Sequence, residues 1–123
     1  MALQLLIVKL SSLGDVVQTA AVVQDVLRRF PDAHIDWVVE EAFAPLVALV
    51  GGLRRVIPVA QRRWRRSPWS PATRRARADF LRDLRCDAYD VVLDFQGLIK
   101  SALVARQARL RPGGFSASYA NGS

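Results

Sequence analysis

Residues 3–19 read LQLLIVKLSSLGDVVQT, and this stretch decides the fold. Leu3 to Leu10 is an apolar run containing Val and Ile and bounded by a Ser/Gly turn, the pattern of a strand covered on both faces. Ser11-Ser12-Leu13-Gly14-Asp15 is a tight polar loop. Beyond it Val16, Ala20, Val23, Leu27 and Phe30 recur at steps of four and three and fall on one face of a helix. Asp15 is thereby placed where a central strand ends and a helix begins. Open α/β sheets bind ligands at that edge.

Outward from this unit, Pro31-Asp32 makes a turn and His34 to Glu40 a second strand, with His34 at its edge as a solvated or capping residue. Glu41 to Val50 has helical spacing (Phe43, Leu46, Val47, Val50) and is closed by Gly51-Gly52 in the C-cap role. Arg54 to Ala60 is a third strand. Pro58 cannot donate to a ladder, which places this strand at or near a sheet edge. In the basic segment QRRWRRSPWSPAT, residues 61–73, Pro68 and Pro71 favour a loop or broken helical turns. Helix resumes near Arg74 with Ala76, Phe80 and Leu84 inward. Tyr89 to Phe95 is a buried fourth strand ending in Gln96-Gly97. Ile99 to Leu110 is a helix with Ala102 and Leu103 facing in, and no further element is expected beyond Pro112-Gly113-Gly114. The order β-α-β-α-β-(basic segment)-α-β-α predicts an α/β fold, a Rossmann-like doubly wound parallel sheet. Four strands are few for such a sheet, so the domain reads as incomplete.

A chain of 123 residues with 51% hydrophobic residues is at most one domain with a real core. No apolar run approaches the ~18 residues that span a bilayer, and the N-terminus lacks the basic region and cleavage site of a signal peptide. The expected location is the cytoplasm. The single Cys86 suits a reducing compartment and reads as a small core residue. Between Gln61 and Arg85 stand nine arginines against Asp79 and Asp83, which accounts for the whole net charge of +7. That concentration points to an anionic partner.

Three stretches can carry chemistry. The Ser11–Asp15 loop is neither G-x-G-x-x-G nor a Walker A loop. A helix N-terminus still favours an anion, and spacing alone favours Asp15 as an ordinary first-turn acid over a general base. The forks of Arg62-Arg63-Trp64-Arg65-Arg66 match carboxylate and phosphate geometry, while Trp64 and Trp69 suit a membrane interface or a stacked ligand. A solvated basic face and a nucleic-acid patch stay open as readings of the same residues. Asp94-Phe95-Gln96-Gly97 follows the fourth strand, which neighbours the first in the usual winding. Gln96 and Gly97 then reach the edge that holds Asp15. Asp94, Lys100 and Ser101 read equally as capping and first-turn residues.

Taken in order, IVKLSSLGDVVQT (7–19), DWVVEEAFAPL (36–46), RVIPVAQRRWRR (55–66) and YDVVLDFQGLIKSALVARQARL (89–110) closely resemble the N-terminal half of the lipopolysaccharide heptosyltransferase I family, glycosyltransferases of family 9. The resemblance implies a GT-B architecture. Residues 1–123 would be its N-terminal, acceptor-binding Rossmann-like domain, truncated, with the C-terminal nucleotide-sugar domain absent. The activity implied is transfer of L-glycero-D-manno-heptose from ADP-heptose to Kdo of Kdo2-lipid A, inverting, with no metal or other cofactor. The family's catalytic aspartate falls on Asp15, as general base, and its acceptor-binding basic residues fall on Arg62, Arg65 and Arg66. Lys9 and Ser12 flank Asp15 as positioning residues, and Gln96 lines the cleft. The partners implied are Kdo2-lipid A, ADP-heptose through the missing domain, and the anionic cytoplasmic face of the inner membrane, with Trp64 and Trp69 as interfacial anchors. No nucleic acid is expected. The chain alone is expected not to turn over and, with an open sheet edge, to be marginally soluble. The competing readings are a basic module that binds anionic lipid or nucleic acid, and a non-functional fragment.

Overall fold

The computed structural model describes residues 2–96 and 99–118. Its elements are β1 (Gln4–Val8), α1 (Leu13–Arg29), β2 (His34–Glu40), a 3₁₀ turn (Glu41–Phe43) running into α2 (Ala44–Val47), β3 (Arg55–Val59), α3 (Gln61–Arg66), α4 (Pro71–Arg85), β4 (Ala88–Asp94), α5 (Ile99–Gln107) and β5 (Arg109–Ser118). The strands form one parallel sheet in the order β3-β2-β1-β4-β5.

The pleat of β1 explains its unbroken hydrophobicity. Leu6 and Val8 join Phe80, Leu84, Tyr89, Val92 and Val104 in a core under α4 and α5. Leu5 and Ile7 join Val16, Val23, Ile35, Trp37 and Val47 in a second core under α1 and α2. Alternate residues point to opposite faces, so a strand covered on both sides must be apolar throughout, each fully buried Leu, Ile or Val contributing about 1.5–3 kcal/mol. From β1 the chain winds outward through β2 to β3 and then crosses back to β4 on the far side of β1. That reversal opens a crevice at the carboxyl ends of β1 and β4.

Several expectations change. A fifth strand follows α5, with Arg109 to Ser118 paired to β4 in parallel and a register shift between Tyr89 and Val91. As an outer strand it is mostly exposed, so it lacks the apolar run that marks a buried strand. Gly114 admits the close approach of β4, since a Cβ there would lie 2.8 Å from the Asp90 carbonyl. Leu110 therefore belongs to β5, and the buried face of α5 is Ser101, Val104 and Ala105, with Leu103 exposed. Phe30 also stands in solvent, because α1 ends at Arg29 and the backbone there leaves helical geometry. Cys86 is exposed rather than buried: it caps α4, with Sγ 3.0 Å from an Arg55 guanidinium nitrogen.

Other readings hold. β3 is an outer strand, and Pro58 faces Val39 within it. The prolines break the basic segment into α3 and α4. Pro71 starts α4 rather than interrupting it, with Ser70 as N-cap accepting the Thr73 N–H at 3.0 Å. Gly52 sits at φ +89°, and a Cβ there would run into Leu27.

Toward the amino ends of β2, β3 and β4 a buried ion network closes the first core. Asp36 is fully buried and accepts from Arg54 Nε (3.0 Å) and Nη2 (2.6 Å), from Arg55 Nη2 (3.1 Å) and from the Tyr89 hydroxyl. Burial alone would raise the Asp36 carboxyl, yet the Arg54 and Tyr89 hydrogen bonds and both guanidinium charges hold it below its ordinary value. Burial and the Asp36 carboxylate together push the Tyr89 hydroxyl well up. A charge this deep is tolerable only when fully paired.

Candidate active site

The carboxyl edge of β1 is locked before any functional group is considered. Lys9 N donates to Val38 O at 3.2 Å, Glu40 N to Leu10 O at 3.0 Å, and Phe95 N to Val8 O at 3.0 Å. Trp37 Nε1 donates to the Lys9 carbonyl at 3.0 Å. The Lys9 side chain runs inward, the residue being 3% exposed. Its Nζ donates to Phe95 O at 3.1 Å and lies 3.6 Å from Asp15 Oδ2. An ammonium so buried is kept only with partners. Here they are the end of β4 and the first turn of α1, which Lys9 ties together.

Asp15 is the third residue of α1. Its Oδ2 accepts from Ser12 N at 3.4 Å and Ser12 Oγ at 3.3 Å, and the former is the reach-back of a capping box. The helix N-terminus favours a carboxylate there. Gln96 braces the two loops: its Oε1 accepts from Leu10 N (3.1 Å) and Ser11 N (3.4 Å). Its own N–H donates to Asp94 Oδ1 at 3.0 Å, and Asp94 Oδ2 accepts from Ser101 Oγ at 3.0 Å. Asp94 thus positions the Gln96 turn and the start of α5. Gly97 and the Lys100 side chain lie outside the described residues.

Beside this edge opens a cavity of about 460 Å³. Leu10, Ser11 and Gln96 border it on the β1–β4 side, Glu40, Glu41 and Phe43 at the end of β2, and Gln61, Arg62, Arg63, Arg65 and Arg66 along α3. The sequence-predicted residues therefore fall into two groups. Arg62, Arg65, Arg66 and Gln96 share the cavity, whereas Lys9, Ser12 and Asp15 stand outside its lining and connect to it through Ser11 and Gln96. Arg63 is engaged by Glu41 in a two-bond pair at 2.8 and 3.2 Å. Among the described residues Arg65 and Arg66 make no ion pair, and both are exposed.

Glu40 and Glu41 also border the cavity, and in the sequence their place directly after the strand run of DWVVEE is the signal that marks them. Burial pushes the Glu40 carboxyl up, offset in part by the nearby backbone of Arg62 and Gln61. Trp64 is not an interfacial anchor. It is partly buried against the first core, its ring 5.8 Å from that of Phe80, and the other side of α3 borders an apolar cavity of about 350 Å³. Trp69, in the turn between α3 and α4, is 87% exposed. Among the described residues no group of three His, Cys, Asp or Glu is placed to hold a metal ion, and no helix is long and apolar enough to cross a membrane.

A fixed carboxylate at a strand edge can take a proton from a hydroxyl brought to it, and guanidiniums across the adjoining cavity can hold carboxylate or phosphate. No protein-family model matches the chain. It is 45% identical over 107 residues to lipopolysaccharide heptosyltransferase 1 of Escherichia coli K12, and 43% identical over 110 residues to the protein of that name from Pseudomonas aeruginosa. These alignments cover 86% and 89% of this chain. This chain is a relative of the lipopolysaccharide heptosyltransferases. It spans about a third of their length (34% and 31%), corresponding to their N-terminal portion. The structure of E. coli heptosyltransferase WaaC with ADP superposes with a TM-score of 0.86 at 42% identity, covering 94% of this chain and 35% of that one. The heptosyltransferase relatives thus share both sequence and the parallel α/β sheet with this chain.

Proposed function

We propose that this chain is the acceptor-binding part of a lipopolysaccharide heptosyltransferase of GT-B architecture, the C-terminal part of the whole enzyme binding the nucleotide sugar. The observation that carries the reading is the juxtaposition at one sheet edge of the Asp15 carboxylate, held by Ser12 and Lys9, and a cavity lined by Arg62, Arg65, Arg66 and Gln96. Asp15 takes the proton of an acceptor Kdo hydroxyl as that oxygen bonds to the anomeric carbon of heptose. The bond from that carbon to ADP breaks with its electron pair on ADP, and the anomeric centre inverts. Oxocarbenium-like charge develops on the sugar as the leaving group departs. The three arginines hold Kdo carboxylates and lipid A phosphates, for which a planar fork is the matching donor. Base and charge both come from side chains, so the reaction is read as metal-independent.

Docking on Kdo2-lipid A places the enzyme peripherally on the anionic cytoplasmic face of the inner membrane, with Trp69 as the interfacial aromatic. Without a donor domain the chain by itself does not turn over. The test is heptose transfer from ADP-heptose to Kdo2-lipid A by the product of the full reading frame that carries this chain, by the chain alone, and by the long form with Asp15→Asn. Activity is expected in the long form only, reduced about 10²- to 10⁴-fold by Asp15→Asn. A folded long form that transfers nothing overturns the reading. The open charge of Arg65 and Arg66 favours the runner-up, a general binder of anionic lipid or nucleic acid, and equal affinity for Kdo2-lipid A and random oligonucleotides would select it.

A further inference from the structure

Gln96 stands just past the end of β4, on the side of the cavity that Leu10 and Ser11 also border. Its backbone is pinned from both directions. Phe95 N donates to Val8 O at 3.0 Å, and Gln96 N donates to Asp94 Oδ1 at 3.0 Å. Asp94 Oδ2 in turn accepts from Ser101 Oγ at 3.0 Å. Asp94 and Ser101 are both buried, where such bonds are strengthened by the low local dielectric. The Gln96 side chain therefore leaves from a fixed point.

Donor–acceptor chemistry then fixes the orientation of its amide. Leu10 N and Ser11 N, at 3.1 and 3.4 Å, can only donate, so the atom that faces them is the carbonyl oxygen. A flipped amide would set its NH2 hydrogens against two N–H groups. With Oε1 committed to the end of β1, both hydrogens of Nε2 are left for another acceptor. Among the described residues no protein group accepts them, and Nε2 is not one of the buried atoms closed off from solvent. An oriented pair of neutral donors thus stands on the wall of a cavity whose charged donors are the long, exposed arginines of α3.

We infer that Gln96 is a specificity-determining residue with two roles. Its oxygen holds the Leu10–Ser11 turn that leads to Asp15, and its nitrogen donates to a hydroxyl or carboxylate oxygen of the sugar acid bound in the cavity. The inference rests on the reading of that cavity as the acceptor site. Guanidiniums draw in any anion of matching shape, whereas a short amide held by two bonds is directional and selects where a sugar oxygen sits. The alternative is that Gln96 is a brace and nothing more. The two roles come apart in Gln96→Glu: a carboxylate still accepts from Leu10 and Ser11, more strongly than an amide, but has no N–H to give.

The experiment titrates the ¹⁵N-labelled 123-residue chain with free Kdo, the sugar acid itself, and follows resonances by NMR. The Gln96 side-chain NH2 signals are expected to shift saturably, with the same midpoint as the signals of α3. In Gln96→Glu the amides of Leu10 and Ser11 should exchange no faster than in wild type, while Kdo affinity falls roughly tenfold, the effect of one lost hydrogen bond with its partner left unpaired. That ratio should persist at about 1 M salt, where a Debye length of about 3 Å screens the added charge. Gln96→Ala should lose both the affinity and the slow exchange. Wild-type affinity in Gln96→Glu, or a loss that vanishes at high salt, overturns the inference. So do Gln96 signals that stay still while those of α3 shift, a result that leaves the acceptor reading standing and needs no variant to fold. Kdo that shifts neither set of signals refutes the acceptor reading itself, and the inference with it.

Discussion

Replacing Arg62, Arg65 and Arg66 together by Gln tests whether the net charge of this chain acts as a site or as a diffuse field. Arg and Gln have similar helix propensities, the three side chains are exposed, and Arg63 keeps its pair with Glu41. Stability should therefore change by less than about 0.5 kcal/mol. A cation near an anionic lipid surface contributes about 1 kcal/mol, so three give an upper limit of about 3 kcal/mol. Open exposure of Arg65 and Arg66 at a Debye length of about 8 Å reduces this, and about 2 kcal/mol, roughly a thirtyfold loss of affinity for Kdo2-lipid A, is expected. The comparison is a charge-matched variant, Arg74, Arg75 and Arg82 to Gln, on α4 and outside the cavity lining. It removes the same charge and should cost no more than about threefold. Isothermal titration at 0.15 M salt reads both. Equal losses would refute the reasoning: the arginines would then act only through the summed field, and the general binding module would be the better account.

Other outcomes follow from the same contacts. Asp36→Ala strands two guanidiniums and the Tyr89 hydroxyl; with Asp87 still 3.3 Å from Arg54, the loss should be about 2–3 kcal/mol, and an unfolding free energy from urea titration lowered by less than about 1 kcal/mol would contradict it. The acid limb carries opposite signs. Asp36, held below its ordinary 3.8, contributes stability present above that value and lost as pH falls through its folded pKa. Glu40, raised above 4.5, opposes folding at neutral pH and is relieved as pH falls from its folded pKa toward 4.5. Stability measured against pH should thus lose its steep fall below 3.8 in Asp36→Asn, and that fall surviving intact would exclude Asp36 as its source. Lys9→Met removes the donor to Phe95 O and one counter-charge of Asp15 but spares the burial of an ammonium, for a net loss of about 1 kcal/mol; a more stable variant would show that Lys9 is not a brace. Gly114→Ala drives a Cβ against the Tyr89 and Asp90 carbonyls and should release β5, seen as faster amide exchange in β4 and β5 with β2 and β3 unaffected.

Local pattern alone determined the strand–loop–helix unit at Leu3 to Thr19, the parallel α/β class and the outer place of β3. Each rests on a property that short stretches carry: unbroken hydrophobicity where both faces are covered, helical spacing in α1, and the missing N–H of Pro58. The charge asymmetry and the place of Asp15 were legible for the same reason. β5 was not, because an exposed outer strand with Gly and Pro lacks the apolar run that marks its buried neighbours. Cys86, Phe30, Leu103 and Trp64 were misplaced because burial depends on where an element ends and how it is rotated against the sheet, and neither is encoded within one turn of chain. Only tertiary structure decided the site. The winding order β3-β2-β1-β4-β5 brings Gln96 to Leu10 and Ser11 across 86 and 85 positions of sequence, buries Lys9 against Phe95, and puts Glu40 and the arginines of α3 around one cavity. Those contacts join residues far apart along the chain, and no pattern within a single strand or helix encodes them.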